Sequence, residues 1–214
     1  MNPILELKDL RCERDERVLF EGLNCRINAG DIVQVQGPNG SGKTTLLRIV
    51  LGLNLSFSGE IFYRGEPLSK QWLMFKQQLL FIGHLPAINR SLSPLENLRW
   101  FASLQGEKPS ISLAEALKAV GLRGFEDSPG YHLSAGQHRR VALARLYISN
   151  SSIWVLDEPF TAIDVEGVNA LRNLFASHVE KGGMVLLTTH QELSLEQVKV
   201  LNLGDYRPQR REVA

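Results

Sequence analysis

The sequence predicts an α/β fold: a core of parallel strands covered by helices, an antiparallel β-layer beside it, and a helical subdomain inserted midway. Three observations predict it. The string GPNGSGKT (Gly37 to Thr44) follows the apolar run DIVQVQG and opens KTTLLRIVLGL, so a strand, a glycine-rich loop and a helix come in that order. Continuous apolar runs such as IWVL (Ile153 to Leu156) and MVLL (Met184 to Leu187) read as parallel strands buried on both faces. Between Pro86 and Ser149 the apolar residues fall instead at three- and four-residue spacing, which is the helical period.

Taken in order, ILELKDL and VLFEGLNCRI are strand-like and separated by the charged turn ERDER, which gives the antiparallel layer. DIVQVQG (Asp31 to Gly37) is a strand ending on a glycine, and Lys43 to Leu53 a helix. GEIFYRGEPL (Gly59 to Leu68) reads as a hairpin around Arg64 and Gly65, and LLFIG (Leu79 to Gly83) as another buried strand. SLSPLENLRWFASLQ, ISLAEALKAVGL and GQHRRVALARLYIS are the helices of the insertion. SIWVLDEP, a helix near Val165 to Lys181, and MVLLTTH then resume the core. The 214 residues, 43% hydrophobic, fit a single domain, 1–214, with core segments 1–85 and 150–214 and the helical subdomain at 86–149.

A formal net charge of +1 and the absence of any Lys/Arg run argue against nucleic acid as a partner. The N-terminal stretch is interrupted by Glu6, Lys8 and Asp9 and lacks a secretory apolar region, so a cytosolic location is expected. No apolar run approaches the ~20 residues that span a bilayer, so any membrane association is expected through partners. Cys12 and Cys25 lack metal-site spacing and read as buried or half-buried thiols.

GPNGSGKT fits G-x-x-x-x-G-K-[ST], in which glycines let backbone N–H groups curl around phosphates. Gly37, Gly40 and Gly42 supply close approach, Lys43 reaches the β and γ oxygens, and Thr44 ligates Mg²⁺. Pro38, Asn39, Ser41 and Thr45 complete the loop's geometry and its N–H groups. The strand IWVL delivers Asp157 and Glu158 to its C-terminal end, with Asp157 suited to the metal and Glu158 to the attacking water. A charged strand end in solvent is the bland alternative, and the phosphate loop upstream weighs against it. His132, His138 and His178 are read as structural.

LSAGQ (Leu133 to Gln137), followed by HRRVALAR, resembles the signature sequence of the ATP-binding cassette (ABC) ATPases, usually LSGGQ. Read as plain structure it is a helix N-terminus capped by Ser134. The resemblance implies the P-loop NTPase fold of an ABC nucleotide-binding domain, a RecA-like core, with ATP and Mg²⁺ as ligands. It implies that Ser134, Ala135, Gly136 and Gln137 complete the site of a second copy of the chain, two copies enclosing two ATP molecules. It makes Glu158 the general base, His190 the switch histidine at the γ-phosphate, and FTAID (Phe160 to Asp164) the D-loop, usually SALD, of the dimer interface.

Two positions depart from the family's pattern. Where an aromatic residue usually stacks on adenine the chain has Arg14, whose planar guanidinium can also stack. Where the Q-loop glutamine is expected the chain has His84, an imidazole able to reach a metal-bound water and to add pH sensitivity.

The phrases CERDER, IGHLPAI, SPLENL, GLRGFED, LSAGQHRRVALARL and LDEPFTAIDVEGV resemble, more narrowly, the haem-exporter ATPases of bacterial cytochrome c maturation. That resemblance implies a motor on the cytoplasmic face of the inner membrane, held by the integral membrane subunits CcmB and CcmC with the small helper CcmD. Leu95, Leu98, Phe101 and Leu104 belong either to the docking face or to the core of the subdomain. The competing readings are an ABC exporter for another substrate and a soluble ABC ATPase acting on ribosomes or DNA, which usually carries two cassettes or a coiled-coil insertion. A P-loop kinase would lack LSAGQ and TTHQ.

Overall fold

The computed structural model describes residues 3–208 except 107, 110, 192 and 194–197. Met1 and Asn2, at the start of the stretch read as lacking a secretory signal, and residues 209–214, assigned above to the second core segment, lie outside the described residues.

In chain order the elements are β1 (Leu5–Arg14), β2 (Arg17–Ile27), β3 (Ile32–Gln36), α1 (Lys43–Val50), β4 (Ser58–Tyr63), β5 (Glu66–Pro67) and α2 (Leu68–Gln77). There follow β6 (Leu79–Ile82), α3 (Pro94–Gln105), α4 (Leu113–Ala119), α5 (Ala135–Ile148), β7 (Ile153–Asp157), α6 (Val165–Glu180), β8 (Met184–Thr188) and β9 (Val198–Asn202).

The antiparallel layer has the order β2-β1-β4-β5. Asp15 and Glu16, with φ of 51° and 60°, make the tight β1–β2 turn, and Arg64 and Gly65, with φ of 52° and 86°, make the β4–β5 turn. Positive φ at both central residues suits the twist of a two-residue hairpin. β1 buries Leu5 and Leu7, then Leu10 and Cys12, a change of phase set by a bulge at Asp9 (φ 47°) that shifts register against both neighbours. Gly59 of β4 permits the bulge, because a Cβ there would lie 2.4 Å from the Asp9 carbonyl oxygen.

The second sheet, β6-β7-β8-β3-β9, is parallel at every described pair. β7 and β8 are buried along their whole length and β3 nearly so. Val33, Val35, Ile153, Val155, Met184 and Leu186 join α1 and the antiparallel layer in one core, while Ile32, Trp154, Leu156, Val185 and Leu187 pack on the opposite side with α5 and α6. Since all parallel strands point one way, the chain leaves β3, β6, β7 and β8 along a single edge, the usual place for a ligand in such sheets.

Helices α3, α4 and α5 enclose a third, smaller core around Leu98, Leu117, Leu122, Val141 and Ile148. Each begins with a reciprocal cap, Ser93 with Glu96, Ser112 with Glu115, and Ser134 with Gln137. α5 is buried nearly all round: Ala142, Leu143 and Leu146 face the parallel sheet while Val141, Ala144 and Ile148 face α3 and α4. The expected boundary at 149 therefore runs along a helix that both cores share. Of the four apolar residues left between docking and core, Leu98 is fully buried, Leu95 and Phe101 pack against the small core, and Leu104 is exposed.

Two elements were not anticipated. α2 presents Phe75 to Tyr63 and stacks Trp72 on Phe75, with Trp72 over Gly52 where a Cβ would come within 2.3 Å of the indole. β9 adds a short edge strand beside β3, in which only Leu201 is buried. The predicted helix at Lys43 to Leu53 ends sooner, at Val50, because Gly52 turns the chain at φ 63°. Cys12 is buried and Cys25 half-buried, both free thiols as read, and burial pushes the Cys25 thiol up to about 11. Among the described residues no helix is long and apolar enough to cross a membrane.

His178 stacks on Trp154 with centroids 3.7 Å apart and planes 8° apart, and burial lowers its pKa to about 4. A folded pKa below the unfolded value of about 6.5 means that the unfolded chain takes up the proton first. Stability from this residue is complete above pH 6.5 and is lost as pH falls towards 4. His178→Phe keeps a flat ring without the titration. In urea unfolding, the wild type should lose about 2 kcal/mol relative to that variant between pH 7.5 and pH 5; parallel pH curves would show that His178 is not the sensing group.

Candidate active site

A cleft of about 1050 Å³ opens along the strand-end edge, lined by the phosphate loop, by Asp157 and Glu158, by His84, Arg14 and His190. It has room for a nucleotide. The structure thus brings together predicted residues from five separate segments.

The loop between β3 and α1 takes its shape from glycine. Gly37, Gly40 and Gly42 have φ of 145°, 74° and 100°. At Gly37 a Cβ would lie 2.6 Å from Ser41 Oγ, whereas nothing lies within 4 Å of one at Gly40, where the cleft is open. Lys43 Nζ donates to the carbonyls of Gly37 at 2.7 Å and Pro38 at 3.4 Å, arching over the loop. The first-turn N–H groups of α1 lack intrahelical acceptors, so the helix turns its donors and its positive end towards this space.

At the end of β7, Asp157 is 4% exposed and Thr44 Oγ1 donates to its carboxylate at 3.1 and 3.3 Å. Thr188 Oγ1, at the end of β8, donates to Asp157 Oδ1 at 2.6 Å and accepts from Glu158 N–H at 3.0 Å. Thr188 was missed in the sequence; TTH was read only for its histidine. The hydroxyl and carboxylate of Thr44 and Asp157 form a small set of hard oxygen donors of the kind Mg²⁺ takes while keeping waters and phosphate oxygens.

Glu158 stands in the left-handed region at φ 51°. Its carboxylate is partly shielded and lies 3.5 Å from Nε2 of His190, which is 60% exposed. Buried Gln34 steadies the segment carrying that histidine, donating to the carbonyls of Thr189 at 3.4 Å and Gln191 at 3.1 Å. His84 and Arg14 are both exposed on the cleft wall, Arg14 pairing with Asp15 at 3.3 Å.

Two further arginines, both from α5, escaped sequence reading. Arg139 donates to the carbonyls of Gly83, Asp157 and Glu158, and Arg145 to that of Ala87 at 2.6 Å. Burial lowers the pKa of each, opposed at Arg139 by the charges of Asp157 and Glu158. A basic run on a helix looks solvated in sequence, and only the packing shows these two turned inward.

Ser134, Ala135, Gly136 and Gln137 do not line the cleft. Ser134 caps α5, accepting from Gln137 N–H at 3.2 Å, so the structural reading of LSAGQ holds within one chain. His138 is structural as read, its Nε2 lying 2.7 Å from the Gly130 carbonyl oxygen. Arg140 ties α5 to Asp164, whose pKa is lowered by the Gly167 N–H and by Arg140.

The family model for ABC transporters matches residues 20–161. The chain belongs to the ABC transporter family. Within it the chain is 49% identical to the cytochrome c biogenesis ATP-binding export protein CcmA of Saccharophagus degradans, over 95% of both chains. It is 52% identical to CcmA of Colwellia psychrerythraea, over 95% of this chain and 94% of the relative. CcmA of Escherichia coli K12 is 50% identical over 94% and 96%. Among solved structures, an ABC transporter ATP-binding protein from Pyrococcus furiosus superposes with a TM-score of 0.80 at 31% identity, over 95% of this chain and 99% of that one. As an ABC ATPase, the chain binds nucleotide, and its activity is ATP hydrolysis coupled to transport.

The shared use of Thr188 by both carboxylate residues gives a test of the ABC site's framework. Thr188→Val keeps the shape and removes the hydroxyl, leaving Asp157 Oδ1 without its shortest donor. The variant should lose about 1–3 kcal/mol in urea unfolding; an unchanged midpoint and slope would mean that water replaces the hydroxyl at no cost.

Proposed function

We propose that this chain is the ATP-hydrolysing subunit of a bacterial inner-membrane ABC complex for cytochrome c maturation, energising haem export or release of haem from its periplasmic carrier. The observation that carries this reading is identity of about half of all residues to CcmA proteins over nearly the full length of both partners. The reading places the chain at the cytoplasmic face, docked on CcmB and CcmC with CcmD rather than inserted itself.

The site's geometry supports specific roles. The loop Gly37 to Thr45 receives the triphosphate, with Lys43 exchanging its carbonyl contacts for β and γ oxygens. Thr44 and Asp157 would hold Mg²⁺, which would supply neutralisation of the phosphate charge. Glu158 accepts a proton from water as its oxygen adds to the γ-phosphorus and the bond to the bridging oxygen breaks, giving ADP and phosphate. His190, beside Glu158, contacts the γ-phosphate, and His84, which lines the same cleft, would hold the Mg²⁺ through a water. Arg14 stacks on adenine at the mouth of the cleft. Ser134, Ala135, Gly136 and Gln137, turned away from this chain's own cleft, complete that of a second copy, so that two ATP molecules are enclosed between two cassettes. An ABC exporter for another substrate uses the same motor, and the membrane partner distinguishes the two.

Glu158→Gln should retain ATP binding and lower hydrolysis on the order of 10²–10⁴-fold. The tagged chain, drawn from detergent-solubilised bacterial membranes, should bring cytochrome c maturation membrane subunits and an ATPase activity that this substitution abolishes. A different permease in the eluate would keep the motor and discard haem; brisk turnover by Glu158→Gln would remove that residue as base.

A further inference from the structure

Arg139 is a buried cation whose hydrogen bonds go to main-chain carbonyls, with the charges of Asp157 and Glu158 acting on it from nearby. Only 4% exposed, it spends its donors on main-chain carbonyls: Nη1 on Gly83 at 2.6 Å, Nη2 on Asp157 at 3.0 Å and on Glu158 at 2.8 Å. Nε is buried and has no partner among the described residues. A buried charge whose hydrogen bonds go to neutral carbonyls is a costly way to gain stability. What this arrangement delivers is geometry at three specified carbonyls.

One of those carbonyls belongs to a residue that would not hold its conformation unaided. Glu158 has φ 51°, a region that non-glycine residues occupy only where surrounding contacts enforce it. Its N–H is held by the carbonyl and hydroxyl of Thr188 at 3.1 and 3.0 Å, and its C=O by Arg139. The residue is therefore pinned at both ends, once from β8 and once from α5. If the second pin is removed, Glu158 can relax towards the extended region and its side chain swings away. Through Gly83 the same guanidinium also fixes the carbonyl just before His84.

We infer that Arg139 is a positioning residue for hydrolysis: its guanidinium locks the left-handed Glu158 peptide and so aims the base carboxylate at the water. This rests on Glu158 being the base, as proposed above. Arg139 does not line the cleft and acts through Glu158.

The test is a double-mutant cycle on the purified chain, using Arg139→Met, which keeps an unbranched apolar stem without the guanidinium donors, and Glu158→Gln. Steady-state Mg-ATP hydrolysis, single-turnover hydrolysis, binding of a fluorescent ATP analogue and thermal melting are measured for each. Arg139→Met should lower kcat by about ten- to a hundredfold, the scale on which a small misplacement of a reacting group is felt, with KM and analogue affinity within about twofold. Added to Glu158→Gln it should change the residual rate by less than about twofold, because the residue it positions no longer acts as base. A merely structural arginine would give the same fold loss in both backgrounds, with affinity and melting temperature falling together, and that result overturns the inference. So does an unchanged kcat in Arg139→Met. Should that variant fail to fold, Arg139→Lys keeps the charge but cannot span Gly83 and Glu158 together; it should lower kcat several-fold at constant KM, and full activity would overturn the inference equally. Wild-type turnover by Glu158→Gln alone signals instead that the base assignment has failed, and the positioning role with it.

Discussion

The hydrogen-bond chain through Asp157 is the constraint on which the rest of the structure depends. Thr44 at the start of α1, Asp157 at the end of β7 and Thr188 at the end of β8 meet through two hydroxyls and one carboxylate, and the same Thr188 hydroxyl passes on to the Glu158 N–H. A nearly buried carboxylate is tolerable only when its oxygens are hydrogen-bonded. Meeting that demand requires three segments, far apart in sequence, to end at one level. The strand order β7-β8-β3 supplies this, since parallel neighbours terminate on the same edge and the loop after β3 returns Thr44 to it. The two apolar cores on either face of the sheet, from Val33, Val155 and Leu186 on one side to Trp154 and Leu187 on the other, hold that edge level.

What could be read from the sequence was what local chemistry dictates. Glycines at 37, 40 and 42 followed by Lys43 have few other uses, and the apolar runs ending in Asp157 and in His190 announced strands that deliver polar residues to an edge. The features that stayed hidden share a cause, which is that their meaning lies in a distant partner. Thr188 looks like any strand threonine until Asp157 is beside it, and Arg139 looks like any surface arginine until α5 is buried on every side. α2 lacks a pattern of its own because its apolar residues Phe75 and Trp72 are answered by Tyr63 and Gly52, and β9 offers a single buried residue, Leu201, to mark it. His84 and Arg14, singled out because they depart from the family's pattern, do stand on the cleft wall.

α5 does three things at once, and its composition follows from them. Its N-terminus carries LSAGQ, capped by Ser134 and turned away from the chain's own cleft. Its flanks join the small helical core to the parallel sheet through Val141 and Ile148 on one side and Ala142 and Leu146 on the other. Its arginines reach the loop leaving β6 at Gly83 and Ala87 and the loop leaving β7 at Glu158. A helix buried nearly all round carries apolar residues on several faces, and its arginines 139 and 145 are buried among them. A rotation of the helical insertion cannot leave those loops undisturbed, because the bonds that fix them originate on α5.

The distribution of backbone strain separates two ways of building the site. In the loop after β3 the left-handed positions fall on Gly37, Gly40 and Gly42, where no side chain is strained. The loops leaving β6 and β7 must present side chains, and there the left-handed positions fall on Ala87, Glu158 and Ala162. Glycine at 158 would relieve the backbone and remove the carboxylate, so the conformation has to be enforced from outside. Thr188 and Arg139 do this for Glu158, and Arg145 holds the carbonyl of Ala87. Hence the phosphate loop is legible as a short string, whereas the carboxylate loop is specified by residues scattered over α5 and β8, whose shared task becomes visible only where they converge.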